Sequence, residues 1–218
     1  MKSVKTNDLF DCQTEYMKPL FECEYPWEML PRIHDYVVSL IEKGIDGFTE
    51  IEPGVLVGKD VTIHKSATII PPVIIGSGTE IRPGAFLRGD VITGSDCVIG
   101  NSSELKNCVL LEHVEVPHYN YVGDSVLGNR AHMGAGSILS NFKAGGSNVT
   151  VHGDEEYPTG LRKFGAILGD KADIGCGCVL NPGTVVGKNT SVYPLTALRG
   201  VYEDNSIIKS VDNIVKRR

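Results

Sequence analysis

An apolar residue returns every sixth position across most of this chain, and that period is incompatible with most ways of folding it. From Ile51 the sixth-step positions are Ile51, Val57, Ile63, Ile69, Ile75, Ile81, Leu87, Thr93, Ile99, Leu105 and Leu111, ten of eleven aliphatic. Four residues after each stands a small or β-branched residue in ten of eleven cases, as at Val55, Val61, Ala67 and Val73. The pattern slips by one residue near Pro117, returns at Val122, Leu127, Met133 and Leu139, and resumes from Leu168 to Leu198. A six-residue period suits neither a helix at 3.6 nor a free-standing sheet at 2. It suits short strands that each end in a tight turn and stack as coils of a β-helix. Glycine, 25 of 218 residues, often follows the aliphatic position, as at Gly58, Gly76 and Gly100. These glycines are expected to supply the positive φ of the turns.

The repeat occupies 51–200. Residues 142–164 interrupt it with a polar, glycine-rich loop, and such insertions in a solenoid usually sit on a working face. Residues 1–50 are expected to form a helical extension. A stripe of Leu30, Ile33, Val37, Leu40 and Ile41 ends at Gly44 and should dock on the first coils. Residues 201–218 form a tail, strand or helix, whose Lys216-Arg217-Arg218 run reads as solvated.

A formal charge of −6 disfavours nucleic acid as a general partner, because phosphate contact depends on clustered Lys and Arg. No apolar run approaches the ~20 residues of a membrane span, and Met1 to Asp8 lacks the apolar core of a signal peptide. Six scattered cysteines read as reduced thiols, which places the protein in the cytoplasm. The one close pair, Cys176 and Cys178, lacks metal-ligand spacing, so no metal is expected.

Polar and aromatic residues concentrate between Ile99 and Asn141. Ile99-Gly100-Asn101-Ser102-Ser103-Glu104-Leu105-Lys106-Asn107 is followed by His118-Tyr119-Asn120-Tyr121-Val122-Gly123-Asp124 and by Met133-Gly134-Ala135-Gly136-Ser137, ending at Asn141. The repeat resembles the hexapeptide-repeat acyltransferases, all-β proteins whose fold is a left-handed parallel β-helix. These motifs, in order and spacing, resemble one branch of them. That branch is the acetyltransferase domain of the bifunctional N-acetylglucosamine-1-phosphate uridyltransferase/glucosamine-1-phosphate N-acetyltransferase, with its archaeal sugar-1-phosphate relatives. Thr159 to Ala166 is similar to the archaeal type.

The resemblance implies acetyl transfer from acetyl-CoA to an amino-sugar phosphate in a homotrimer whose sites lie between subunits. It makes His118 the general base, with Glu104 orienting it. Arg88, Lys106, Tyr121 and His132 become substrate contacts. Ala135, Asn141, Phe142 and Cys176 match the acyl-donor site, and Arg162 and Lys163 are candidates for the coenzyme A phosphates. The chemistry agrees. An amine must lose a proton during acyl transfer, and histidine titrates near working pH. An amide such as Asn141, or a backbone N–H, suits a developing oxyanion. Arg88 offers a planar fork to phosphate and Lys106 a point charge.

Three departures bear on substrate. No nucleotidyltransferase domain is expected within the fifty residues that precede the repeat. The family lysine six residues after the matched asparagine is Ser147 here. The family asparagine eleven residues after the matched tyrosine is His132, and the aromatic after Asn141 is Phe142, not tyrosine. Two rival readings share the fold: a non-catalytic trimeric scaffold or regulatory protein, and a zinc enzyme of the γ-carbonic anhydrase kind. The latter draws on Leu87-Arg88-Gly89-Asp90, His113 and His118 but lacks the upstream third histidine.

Overall fold

The computed structural model describes residues 2–217, which leaves Met1 and Arg218 of the basic run outside the description. Parallel strands of two to seven residues stack coil on coil into a β-solenoid with three faces. This fits the parallel β-helix that the repeat predicts. One face stacks Val55–Val57, Val73–Ile75, Val91–Thr93, Ala166–Leu168, Thr184–Val186 and Val201–Tyr202 with the second halves of Glu104–Leu110 and Tyr121–Leu127. A second stacks Thr68–Ile70, Phe86–Arg88, Ile138–Leu139, Val179–Leu180 and Ala197–Leu198 with the first halves of those two long strands. The third includes Val98–Asn101, Glu115–His118, His132–Met133 and Asp173–Ile174.

The bore is lined as the six-residue period requires, with Leu87, Ile99, Leu105, Val116, Val122 and Met133 all fully buried. The reason for the glycines is different from the one expected. Gly58, Gly76 and Gly100 are not in the positive-φ region. They are needed because the next coil passes too close for a side chain. A Cβ on Gly76 would lie 2.2 Å from the Gly94 carbonyl oxygen, and one on Gly100 would lie 1.6 Å from that of Pro117. The positive-φ turns fall one or two residues further on and are held mainly by other types, among them Asp60, Asp96, His113, Arg130, Lys171 and Asn189. Aspartate and asparagine tolerate this region through local hydrogen bonding.

The register slip also lies elsewhere than Pro117. Cys108 pairs with Val91 and with Ser125, 17 residues away in each direction, so the coil is shortened first at Asn107 and again at Asp124. Both shortened corners join the second face to the first.

The N-terminal extension covers the first face from the early coils to the coil at Asp170 instead of docking only on the first coils, and the inserted arm packs on the later strands. Helix α1 (Thr6–Leu9) brings the Leu9 carbonyl to the Asp170 N–H (3.0 Å). After two 3-10 turns, helix α2 (Ile33–Lys43) lies over the strands of the early coils. Extension and arm together cover an outward ladder of Leu56, Ile74, Ile92, Val109, Val126, Ile167, Val185 and Val201, all buried. Each such residue stabilises the fold by roughly 1.5–3 kcal/mol relative to exposure. We call this the covered face and the second the open face, where Arg88, Ile70 and Val179 are exposed.

The insertion is a folded arm. Thr150–His152 and Glu156–Pro158 form an antiparallel hairpin, and Val149, Val151 and Phe164 are buried with the N-terminal extension. It delays the coil so that Ser125 and its partner Ala166 are 41 residues apart. The C-terminal segment is a strand hairpin, Ser206–Ser210 with Asn213–Lys216. Two basic residues at its end are tied down: Lys216 pairs with Glu203 (2.5 Å), and Arg217 donates to Ser191. No helix among the described residues is long and apolar enough to cross a membrane.

Candidate active site

The predicted residues gather in two groups, one on a ridge that borders the short open face and one along that face. The first is a ridge where the third face turns into the open face. Parallel pairing sets His118 beside Asn101 and, coil after coil, Ala135 and Cys176 above it. The His118 carbonyl accepts the Gly136 N–H (2.9 Å) and the Ala135 carbonyl the Gly177 N–H (2.8 Å). Beneath the ridge buried Asn120 holds the turn. Its Oδ1 accepts the His118 N–H (3.0 Å), and its Nδ2 donates to the Gly134 carbonyl (2.8 Å). With the buried volume occupied by Asn120, His118, Ala135 and Cys176 are all exposed. No side chain among the described residues bonds the His118 imidazole.

The second group runs along the open face, from the column next to the ridge to the one about 7 Å of strand further on by the usual rise per residue. Register pairing stacks Arg88, Lys106 and Gly123 in one column, with Phe86, Glu104 and Tyr121 in the next. Arg88 pairs with Glu104. Glu104 therefore engages the guanidinium, not His118 as the resemblance implied. Asp124, buried in a positive-φ turn, is the hub. Its Oδ1 accepts Asn107 Nδ2 at 2.8 Å and faces Lys106 Nζ at 3.5 Å, while its Oδ2 accepts Asn141 Nδ2. Asn141 Nδ2 also donates to Tyr121 Oη (3.1 Å). Burial, then the nearby Asp124 and Glu104 charges, raise the Tyr121 hydroxyl pKa, so it stays protonated as a donor.

Gly123 makes this meeting possible, since a Cβ there would lie 2.5 Å from Tyr121 Oη and 2.7 Å from Asn141 Nδ2. Both N–H groups of Asn141 are thus engaged, so it is not free to donate to an oxyanion in this arrangement. Asp124 was missed by sequence reading. Its signal was the five-residue step from Val122 to Leu127, where the period loses a residue.

Phe142, Arg162 and Lys163 meet at the root of the arm. Phe142 bridges Lys163, and the Arg162 guanidinium lies 5.6 Å over the Phe142 ring, a cation–π contact. The Lys163 side chain is exposed. His132 is held apart on the third face, where Nδ1 donates to Asp173 Oδ1 (2.9 Å), a contact that raises its pKa. His118 ends the strand Glu115–His118, while His113 lies in the positive-φ turn before that strand, where its Nδ1 faces Asp96 at 3.8 Å. The two rings therefore belong to different corners of the solenoid, and one chain does not bring them to a common zinc. Among the described residues no His/Cys/Asp/Glu group is arranged to hold a metal.

Coils, repeat and site together define a hexapeptide-repeat β-solenoid with an exposed imidazole on one ridge and a network of paired charges on the face beside it. A family model for the GMPPB C-terminal domain matches residues 69–156. The bifunctional protein GlmU of Methanococcus aeolicus is 29% identical over 208 residues, 87% of this chain and 47% of that protein. GlmU of Methanocaldococcus jannaschii is 28% identical over 88% of this chain and 48% of its own. The chain spans about half the length of these curated relatives. Solved structures that it resembles include PerB from Caulobacter crescentus with CoA and GDP-perosamine, at 20% identity and a TM-score of 0.43, covering 72% of this chain and 57% of that one. They also include AntD, an N-acyltransferase from Bacillus cereus, with dTDP and 3-hydroxybutyryl-CoA, at 18% identity, a TM-score of 0.42 and coverage of 80% and 91%. The repeat, the solenoid and the GlmU relatives fit a hexapeptide-repeat acetyltransferase.

Proposed function

We propose that this chain transfers an acetyl group from acetyl-CoA to the amine of an amino-sugar phosphate or nucleotide-linked amino sugar. His118 is the general base in this reading. It takes the amine proton as the N–C bond forms, and the thiolate of coenzyme A leaves. Positioned bases of this kind contribute ~10²–10⁴-fold to rate. Ala135 and Cys176 line the donor side of the ridge, with Phe142, Arg162 and Lys163 toward the donor's phosphates. Arg88 and Lys106 receive the acceptor's phosphate. The reading includes a cytoplasmic homotrimer in which a second subunit completes each site, and it leaves His132 to act there across the interface.

The observation that carries it is that His118, an exposed imidazole without a side-chain partner, stands on the ridge that borders the open face on which Arg88, Lys106 and Tyr121 lie. The test follows coenzyme A release with a panel of amino-sugar phosphates, for wild type and His118→Ala. A loss of about 100-fold or more in kcat is expected. Unchanged turnover removes His118 as the base.

A second reading, a non-catalytic scaffold or regulatory subunit, draws on one observation. Arg88 and Lys106 are already neutralised by Glu104 and Asp124. Wild-type protein that turns over no amine in the same panel would favour it.

A further inference from the structure

We infer that Asp124 is a positioning residue that sets the hydrogen-bonding polarity of Asn141, so that this amide meets a ligand with its carbonyl oxygen and selects an N–H. The second half of this inference rests on the acetyl-transfer reading, in which the N–H belongs to the acceptor amine.

A carboxylate only accepts hydrogen bonds, so the Asn141 group facing Asp124 Oδ2 has to be the nitrogen. The other Nδ2 proton points at Tyr121 Oη. Turning the amide over would set two acceptor oxygens against each other beside a carboxylate only 5% exposed, where water is scarce to relieve them. The carboxylate is itself fixed by Asn107 and Lys106 from the neighbouring coil. The backbone clamps the pair as well, since the Asp124 carbonyl accepts the Gly165 N–H (2.8 Å) and the Asn141 carbonyl the Phe164 N–H (2.9 Å).

The consequence is a defined pattern at the ligand side. Tyr121, having accepted from Asn141, keeps its own O–H to donate, and Asn141 keeps Oδ1 to accept. A donor and an acceptor stand side by side above Gly123. That pair suits an uncharged amine, which offers a lone pair and N–H groups together. Oxyanion stabilisation then falls to backbone N–H groups of the ridge, not to Asn141.

The test uses the full chain and two readouts. Side-chain amide signals of Asn141, assigned by their loss in Asn141→Ser, are compared between wild type and Asp124→Asn, whose added amide lets Asn141 turn over. Wild-type Nδ2 protons are expected to exchange with solvent several-fold more slowly than those of exposed Asn7, and both signals to move in Asp124→Asn. With glucosamine-1-phosphate, KM for the amine is expected to rise about tenfold while KM for acetyl-CoA stays within about twofold. Wild-type protons that exchange as fast as those of Asn7, or signals unmoved in Asp124→Asn, overturn the role of Asp124. A KM change confined to acetyl-CoA overturns selection of the amine. If no amine is turned over, the acetyl-transfer reading and amine selection fail together, while the amide signals still decide what Asp124 does. The wild-type exchange decides it even if the variant does not fold.

Discussion

The indole of Trp27 lies 6.0 Å, centroid to centroid, from the ring of Phe164, the residue at which the inserted arm rejoins the solenoid. It lies 6.1 Å from Tyr157 at the arm's edge and stacks on Tyr25 at 4.9 Å. The N-terminal extension therefore holds the arm whose root carries Asn141, Phe142, Arg162 and Lys163. Trp27→Ala is expected to cost about 3–5 kcal/mol in denaturant unfolding, the usual cost of deleting a buried large aromatic. Amide exchange in Thr150–His152 and Glu156–Pro158 should accelerate more than in Thr68–Ile70, on a face the extension does not cover. Equal acceleration in both would show that the extension only stabilises the solenoid globally.

The stacking of coils depends on where side chains are absent, which separates two substitutions that look alike. Gly100→Ala places a Cβ 1.6 Å from a backbone oxygen, and no side-chain movement relieves that contact. Loss of soluble folded protein is expected. Lys171, at φ +60°, carries the reverse cost. A left-handed conformation costs a non-glycine residue roughly 1–2 kcal/mol, and glycine's extra chain entropy returns roughly 0.5–1 of that. Lys171→Gly should therefore raise unfolding stability by up to about 1 kcal/mol. A destabilisation at Lys171 would refute this account of the turns.

The same contrast explains how far the sequence could be read. The bore ladder was legible because Leu87, Leu105, Val122 and the rest recur at a period no other fold shares. The covered face was not, although Leu56, Ile74 and Ile92 recur every eighteen residues just before bore positions. An outward apolar residue acquires meaning only when something covers it, and that partner lies in the first fifty residues. His118, Ala135 and Cys176 were found from a resemblance, and stacking puts them on one ridge. The Glu104–Arg88 pair and the Asp124 hub were not found, because each depends on which residues of adjacent coils share a column. A coil shortened at Asn107 and Asp124 changes that column.

The His132–Asp173 pair gives a pH dependence whose sign follows from both partners. The hydrogen bond to Asp173 raises His132 above its ordinary 6.5, so its contribution is full below that value and drains as pH climbs through the folded value. The same bond lowers Asp173 below 3.8, so its contribution holds above that value and is lost as pH falls. The pair therefore stabilises most between about pH 4 and 6.5. Both groups are substantially exposed, which limits the effect to about 1 kcal/mol or less. His132→Gln should narrow its stability gap to wild type between pH 5.5 and 8.5. A gap that widens over that range would place the charge of His132 elsewhere.

Thiol chemistry reports on the ridge. Burial pushes the Cys97 thiol up to about 12 and the Cys108 thiol higher still, which leaves little thiolate at neutral pH. Cys176 is exposed. Iodoacetamide followed by peptide mass mapping should label Cys176 well before Cys97 or Cys108. Acetyl-CoA should slow labelling at Cys176 several-fold if the donor lies along this ridge. Labelling unaffected by saturating acetyl-CoA would remove Cys176 from the donor site.

Glu104 separates two roles that one carboxylate can play. Paired with Arg88, it lowers the positive charge offered to an incoming anion, and a bound phosphate has to compete for the same guanidinium. Glu104→Gln keeps the shape and removes the charge. If Glu104 only tethers Arg88, the variant should bind an anionic acceptor about 2- to 10-fold more tightly, with kcat little changed, as expected for a partly exposed ion pair worth about 1 kcal/mol. If it also supports the imidazole across the subunit interface, kcat should fall by tenfold or more and KM should not decide the outcome. The Arg88→Lys variant controls for charge alone: it loses the planar fork but keeps the cation, so KM for the phosphate-bearing acceptor should rise while kcat holds. A Glu104→Gln enzyme unchanged in both constants would leave the Arg88 pair as a surface contact without a part in binding.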